Sequence, residues 1–198
     1  MRDLIVVFEG IDGVGKTTQA SLLSERLTQE GQRVVVTGPF LTEFGGAIRT
    51  LYLSGVGSRL HPSAEALILA SAATQMASEL VAATGTDVVI LDRFVYSTLV
   101  YQGIGRDVGL TTVRQYFAAA LDMCYPDVVI WLDVPPEIAL ARVAEASRDR
   151  LDKMPLDYHI TAREGYARLA RENPEFVRVD GTLSAEGVHS EIWAQITD

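Results

Sequence analysis

The chain has 198 residues, 48% of them apolar and 22% charged. That is the composition of a folded protein with enough chain to bury a sizeable core, and it excludes disordered and collagen-like classes. Its 17 basic against 26 acidic residues give a net charge of −9, which repels phosphate backbones and anionic lipid and argues against a nucleic-acid polymer or a membrane surface as partner.

In chain order, short β-rich runs alternate with longer helical segments. Leu4–Phe8 is a continuous apolar run of strand length, and it stops too soon to be a signal-peptide core. Lys16–Glu30 follows, with Leu22, Leu23 and Leu27 on one helical face and Gly31 as a stop. Val34–Thr37 reads as a second strand and Gly45–Leu53 as a short helix. Pro62 suits a first helical position and opens a helix to about Thr84, ended by Gly85. Val88–Leu91 is a third strand, closing on Asp92, and Val95–Gly103 and Thr111–Leu121 read as helices. Val128–Leu132 is a fourth strand, closing on Asp133. Helices over Pro136–Ser147 and Tyr158–Glu172 flank a charged loop, and a strand at Phe176–Val179 precedes a last helix, Ser184–Thr197.

Strands apolar at nearly every position are buried on both faces, and their alternation with helices implies a parallel sheet covered on both sides. Ligands of such folds sit beyond the carboxyl ends of the strands. Gly10–Thr18, Gly38–Phe40, Asp92–Arg93 and Asp133 all fall there. No run approaches the roughly 18–20 apolar residues of a membrane span. The single cysteine, Cys124, cannot close an internal disulfide and suits a reducing compartment. The expectation is one cytoplasmic domain over residues 1–198.

Gly10-Ile11-Asp12-Gly13-Val14-Gly15-Lys16-Thr17 matches G-x-x-x-x-G-K-[ST] between a strand and a helix. The glycines let backbone N–H groups turn inward around phosphate oxygens, and the helix N-terminus adds positive partial charge. Lys16 suits the β- and γ-phosphates, and the Thr17 hydroxyl suits Mg²⁺. No Asn-Lys-x-Asp guanine-reading element occurs, which favours ATP and phosphoryl transfer to a small acceptor. Such transfer needs dense positive charge, which Lys16, Arg93, Arg148, Arg150 and Arg163 can supply, although Arg148 and Arg150 by themselves read as a solvated charged turn beside Glu145, Asp149 and Asp152. Asp92 ends a strand, where a carboxylate serves as metal or water ligand or as a helix cap. Arg93 can clamp an acceptor phosphate bidentately. Asp133 reads as the cap of the helix after Pro136.

From Phe8 to Gln19 the chain resembles the phosphate loop of the thymidylate kinase family, and Asp92-Arg93-Phe94 with Ser97–Gly103 continues the likeness. Arg142, Arg148-Asp149-Arg150 with Asp152, then Tyr158, Arg163 and Tyr166, resemble the family's mobile lid and the helix behind it. Arg178-Val179-Asp180-Gly181 resembles its last strand. The resemblance implies a three-layer α/β P-loop kinase fold with a five-stranded parallel sheet in the order 2-3-1-4-5 and a lid at about 143–156. It implies ATP and Mg²⁺ as cofactors and a pyrimidine deoxynucleotide as acceptor. Gly10, Asp12, Gly13, Val14, Gly15, Lys16, Thr17, Thr18, Arg142, Arg148 and Arg150 would hold the donor, with Thr17 and Asp92 at the metal. Lys16, Arg93, Arg150 and Asp12 are the implied catalytic residues. Asp12, Pro39, Phe40, Arg49, Leu69, Ala73, Arg93, Ser97, Thr98, Tyr101, Gln102 and Arg163 are the implied acceptor residues. Val14 leaves the phosphate loop without an arginine, the bacterial-type arrangement in which lid arginines cover the donor phosphates.

Three departures bear on the acceptor. The family's Thr-Arg-Glu-Pro-Gly-Gly-Thr is here Thr37-Gly38-Pro39-Phe40-Leu41-Thr42, with one residue deleted and the Arg-Glu pair lost. Leu69 stands for the phenylalanine that stacks on thymine, and Ala73 for the arginine that bonds a thymine carbonyl. Either Phe40 or Arg49 compensates, or the chain is a paralogue with another acceptor, such as a modified nucleotide, or with relaxed base selection; a non-enzymatic nucleotide-binding module is a separate rival, against which Lys16, Arg93 and the lid arginines argue. Ala64–Ala83 carries only Glu65 and Glu79 as charges, as a helix buried on more than one face would. Such a helix fits the family's twofold homodimer or a place inside the monomer core.

Overall fold

The alternation read from the sequence is realised in the computed structural model, which describes residues 4–83, 85–143, 149 and 151–197. The strands β1 Leu4–Glu9, β2 Val34–Thr37, β3 Val88–Asp92, β4 Val128–Asp133 and β5 Phe176–Asp180 form one sheet, ordered β2-β3-β1-β4-β5. Every pairing is parallel. Val6, Val7 and Phe8 of the central strand are fully buried, as are Ile90, Leu91, Ile130 and Leu132 beside it. Runs without a polar face need cover on both sides, and helices provide it.

The helices are α1 Lys16–Gln29, α2 Glu43–Leu53, α3 Pro62–Ala82, α4 Val95–Thr98, α5 Leu110–Tyr116, α6 Ala118–Met123, α7 Pro136–Arg142, α8 Leu156–Glu172 and α9 Ala185–Thr197. From β1 the chain crosses β3 to reach β2, while the next three connections run the other way across the sheet. Right-handed crossovers then put α1 on one face and α3 to α8 on the other. The last helix, α9, returns to pack beside α1.

Local chemistry sets the helix ends. Thr42 caps α2, its side chain accepting from Gly45 N at 3.0 Å. Pro62 stands in the first turn of α3, behind His61, whose Nδ1 accepts from Ser63 N. Two expected helices are interrupted. After α4 the backbone widens into a π-helical stretch, Leu99–Ile104, which carries Tyr101 and Gln102. The helix expected over Thr111–Leu121 breaks at Phe117 into α5 and α6. Phe117 is buried there and meets Phe94 edge to face, so tertiary packing overrides the helical period. The helix begun at Pro136 ends at Arg142, and residues 144–148 lie outside the described residues.

Core packing takes one side of α3, through Ala66, Leu69, Ala70, Ala73, Met76 and Ala77. The outward side shows Leu67, Ser71, Gln75 and Ser78 to solvent and carries little charge. Among the described residues no helix is long and apolar enough to cross a membrane.

Candidate active site

Sheet register aligns the reactive strand ends. Phe8 pairs with Asp92, Thr37 with Leu91 and Asp133 with Asp180, so Glu9, Thr37, Asp92 and Asp133 end along one edge. The loop from Gly10 to Gly15 leaves β1 there and feeds α1. Gly13 has φ of 81°, and a Cβ on it would run into the carbonyl oxygen of Ala139. Gly15 has φ of 98° and opens on empty space immediately before α1. Left-handed backbone of this kind favours glycine and aims amides at a ligand.

Lys16 folds back over the loop. Its Nζ donates to Ile11 O at 2.8 Å and Gly10 O at 3.2 Å, with the Asp12 carboxylate at 3.8 Å. Burial and the neighbouring Arg93 charge lower the ammonium to about 8, against the pull of Asp12. A site that disfavours its own cation gains most when a polyanion arrives. Thr17 Oγ1 donates to Asp92 Oδ2 at 2.8 Å, pairing a hydroxyl with a carboxylate beside the loop. The Val14 side chain is buried in the core, so only its main chain can serve a phosphate. The Gly10 carbonyl accepts from both Lys16 and Arg93.

Arg93 adopts φ of 69°, a left-handed conformation rare outside glycine. The turn brings its guanidinium under the loop, where Nη1 donates to Gly10 O (2.8 Å) and Ser97 Oγ (2.9 Å) and Nη2 donates to Asp12 Oδ1. Burial pushes the Asp12 carboxyl up, but the charges of Arg93 and Lys16 outweigh it and hold the group at about 2. Glu9 anchors the assembly from below. Its two oxygens accept from Phe94 N, Ser97 N, Ser97 Oγ and Tyr166 OH, at 2.7–3.2 Å. Burial raises its pKa, opposed by Arg93. A fully buried carboxylate with four donors fixes the turn that carries Arg93.

Two cavities meet at these side chains. One, of about 560 Å³, is lined by Gly13, Gly15, Lys16, Thr17, Thr18, Leu41 and Arg142. Arg142 Nη1 also donates to Gly181 O at 2.9 Å. The narrower one, of about 130 Å³, is lined by Pro39, Phe40, Tyr52, Leu53, Leu69, Phe94, Ser97, Thr98, Tyr101, Gln102, Phe117, Asp149 and Leu151. Both share Asp12, Phe40, Arg49, Asp92 and Arg93.

The altered segment after β2 has a packing reason. A Cβ on Gly38 would press on the Asp92 carbonyl, and one on Gly45 would collide with the Pro39 carbonyl. The shortened connection therefore runs hard against β3 and brings Phe40 to face Tyr52, ring centroids 6.2 Å apart. Arg49 reaches across to Asp149 at 3.8 Å.

Three expectations need correction. Ala73 is fully buried in α3 and does not line the narrow cavity, because its side chain ends at Cβ inside the core. Arg163 is not at the acceptor cavity: Asp133 holds it through Nε (2.6 Å) and Nη2 (3.2 Å), on another part of the surface. Asp133 also accepts from Arg178 Nε at 2.8 Å, so it ties α8 to β5 rather than capping α7. Burial pushes the Asp133 carboxyl up, yet the two arginines lower it overall. Arg148 and Arg150 lie outside the described residues.

Residue-by-residue reading missed Glu9, Tyr52, Leu53, Phe117, Asp149 and Leu151. Glu9 had a signal, a charge at the end of an all-apolar strand. Tyr52 and Phe117 had none, since an aromatic at helical spacing reads as core.

A glycine-cradled loop at a strand end, a buried lysine over it and a second pocket sharing its arginine define a P-loop phosphotransferase. The thymidylate kinase family model matches residues 8–192. A thymidylate kinase of Fervidobacterium nodosum is 35% identical over 192 residues, 96% of either chain. Another, from Synechococcus sp. (strain JA-3-3Ab), is 39% identical over 198 residues, 98% of this chain and 95% of its own. One from Caldanaerobacter subterraneus subsp. tengcongensis is 38% identical over 96% of this chain and 92% of its own. The chain belongs to the thymidylate kinase family.

Proposed function

We propose that the protein transfers the γ-phosphoryl group of ATP to the 5′-phosphate of thymidylate, releasing ADP and the nucleoside diphosphate. The observation that carries this reading is the meeting of the two cavities on Asp12, Asp92 and Arg93. One side offers amides and Lys16 to a polyphosphate; the other offers an aromatic and apolar slot to a base. The relatives named thymidylate kinase favour that acceptor over a different one and over a non-enzymatic binding module.

An oxygen of the acceptor phosphate attacks the γ-phosphorus, the bond to the β–γ bridging oxygen breaks, and its electron pair leaves with ADP. Lys16 steadies the β- and γ-phosphates and Arg93 the acceptor phosphate, so two anions approach without repelling. Arg142 lines the donor side, and the resemblance supports a role at the donor phosphates for Arg148 and Arg150 of the lid at about 143–156, within one domain. Thr17 and Asp92 would hold Mg²⁺, their hydroxyl and carboxylate being hard oxygen donors that fit it. Bound there, the ion would neutralise phosphate charge. Tyr101 crowds the sugar 2′ position, and Thr98 and Gln102 face the base.

A coupled ADP-release assay at fixed ATP, run over thymidylate, deoxyuridylate, deoxycytidylate and modified nucleotides, tests the reading. Thymidylate should give the highest kcat/KM, and the absence of ADP release with every acceptor would overturn it. The charge-poor outer side of α3 supports a twofold homodimer. Sedimentation at micromolar concentration should then report about twice 21.6 kDa. Cys124 is the only cysteine of the chain and cannot close an internal disulfide, which supports a cytoplasmic location.

A further inference from the structure

The Arg93 guanidinium has a core side and a site side. On the core side, Nη1 donates to Gly10 O at 2.8 Å and Ser97 Oγ at 2.9 Å, with the Tyr166 hydroxyl at 3.4 Å. On the site side, Nη2 meets the Asp12 carboxylate, and Nε has no partner among the described residues. Arg93 lines both cavities, whereas Tyr166 lines neither.

Behind Nη1 lies a second layer of contacts. Ser97 Oγ donates to Glu9 Oε2 at 2.7 Å, and Tyr166 OH donates to the same oxygen at 2.9 Å. Glu9 and Tyr166 are both 0% exposed. A guanidinium only donates hydrogen bonds and a carboxylate only accepts them. The hydroxyls between them therefore have one arrangement: they accept from Arg93 and donate to Glu9. Burial and the Glu9 charge push the Tyr166 phenol well above its ordinary range, so its proton stays on the oxygen that donates it. Tyr166 stands in α8 and Glu9 at the end of β1, so one hydroxyl ties a late helix to the turn that carries Arg93.

We infer that Tyr166 positions Arg93 for the acceptor phosphate: acting through Glu9 and Ser97, its hydroxyl holds the Nη1 side of the guanidinium in the core, which leaves the Nη2 and Nε side as the fork offered to the ligand. Two parallel N–H groups match two phosphate oxygens only while the plane of the fork is fixed. The left-handed backbone at Arg93 sets where the side chain starts, and the buried hydroxyls set how its far end is turned. Tyr166 is a positioning residue, because it reaches the ligand only through Arg93. The assignment rests on the acceptor's being a nucleotide whose 5′-phosphate meets Arg93, as proposed above.

The test compares thymidylate with thymidine, which has the same base and sugar without the phosphate. Calorimetry gives the Kd of thymidylate, and inhibition of ADP release gives the affinity of thymidine. Tyr166→Phe removes one oxygen and keeps the ring in the core. The Kd of thymidylate should rise about tenfold, while the thymidine inhibition constant and the KM for ATP stay within about twofold. Glu9→Gln keeps the shape of the side chain, removes its charge and should show the same split. In an Arg93→Lys background, which has no fork, Tyr166→Phe should change thymidylate binding less than about twofold. Lost packing or stability weighs on thymidine and thymidylate alike. Equal weakening of the two ligands, unchanged thymidylate binding, or a tenfold effect retained beside Arg93→Lys would overturn the role of Tyr166 and leave the proposed function standing. A wild type that neither binds thymidylate nor releases ADP with it would overturn both.

Discussion

The donor and acceptor halves of the site are built by different means. The donor half is mostly main chain: Gly13 and Gly15 at positive φ, a helix N-terminus and one lysine, all within seven consecutive residues. The acceptor half gathers side chains from α2, α3, α4, the π-helical stretch, Phe117, Asp149 and Leu151, with more than a hundred residues between the first and the last. A main-chain cradle tolerates little variation, because each glycine answers a backbone demand. A side-chain pocket can draw its rings from different elements, as Phe40 and Tyr52 line this one beside Leu69 of α3. Asp12, Phe40, Arg49, Asp92 and Arg93 belong to both halves, with Glu9 holding the turn that carries Arg93.

Perturbing each half separately sharpens this contrast. The largest effect is expected from Lys16→Ala. It should lower kcat/KM at least about a thousandfold, since a charge that steadies the transferring group is lost. The circular dichroism spectrum should stay native, and wild-type rates in that folded variant would break the donor assignment. On the proposed role of Arg150 in the transition state, Arg150→Ala should lower kcat by roughly tenfold to a thousandfold, with a smaller change in the KM for ATP. A change in KM alone would make Arg150 a ground-state ligand.

Titration gives a smaller effect. Folding brings the Lys16 ammonium down to about 8, so the cation is lost as pH rises through that value. Below it, kcat/KM for ATP should be flat; above it, the value should fall about tenfold per pH unit. Lys16→Arg should remove that limb even where its rate is low. The mildest change expected is Gly38→Ala. A methyl pressed on the Asp92 carbonyl should cost about 1–3 kcal/mol of stability, read in urea melts. It should raise the acceptor KM more than the ATP KM. Equal shifts in both would mean the corner at Gly38 does not belong to the acceptor half.

Most of the fold was legible because its strands are all-apolar and its helices carry plain stops. Gly31, Pro62 and the strand ends at Asp92 and Asp133 fell where the elements begin or end. The donor loop was legible letter by letter, because each of its glycines answers a local backbone demand. What could not be read were departures forced by packing at a distance. Phe117 breaks a helix to reach Phe94, and the π-helical stretch re-aims Gln102. Asp133 found two arginines from later elements rather than the helix next to it. Tyr52 lines the narrow cavity and meets Phe40, which follows the short connection at Gly38–Pro39. No local pattern encodes any of these encounters.

The lysine lying across its own loop has a thermodynamic consequence. With Nζ bonded to the Gly10 and Ile11 carbonyls, and Arg93 gripping Gly10 from the other side, the cradle has its shape before any nucleotide arrives. The conformational entropy of those residues is therefore surrendered when the chain folds. Nucleotide binding then has only to exchange two carbonyl contacts for phosphate oxygens, and little of its free energy goes into ordering the protein.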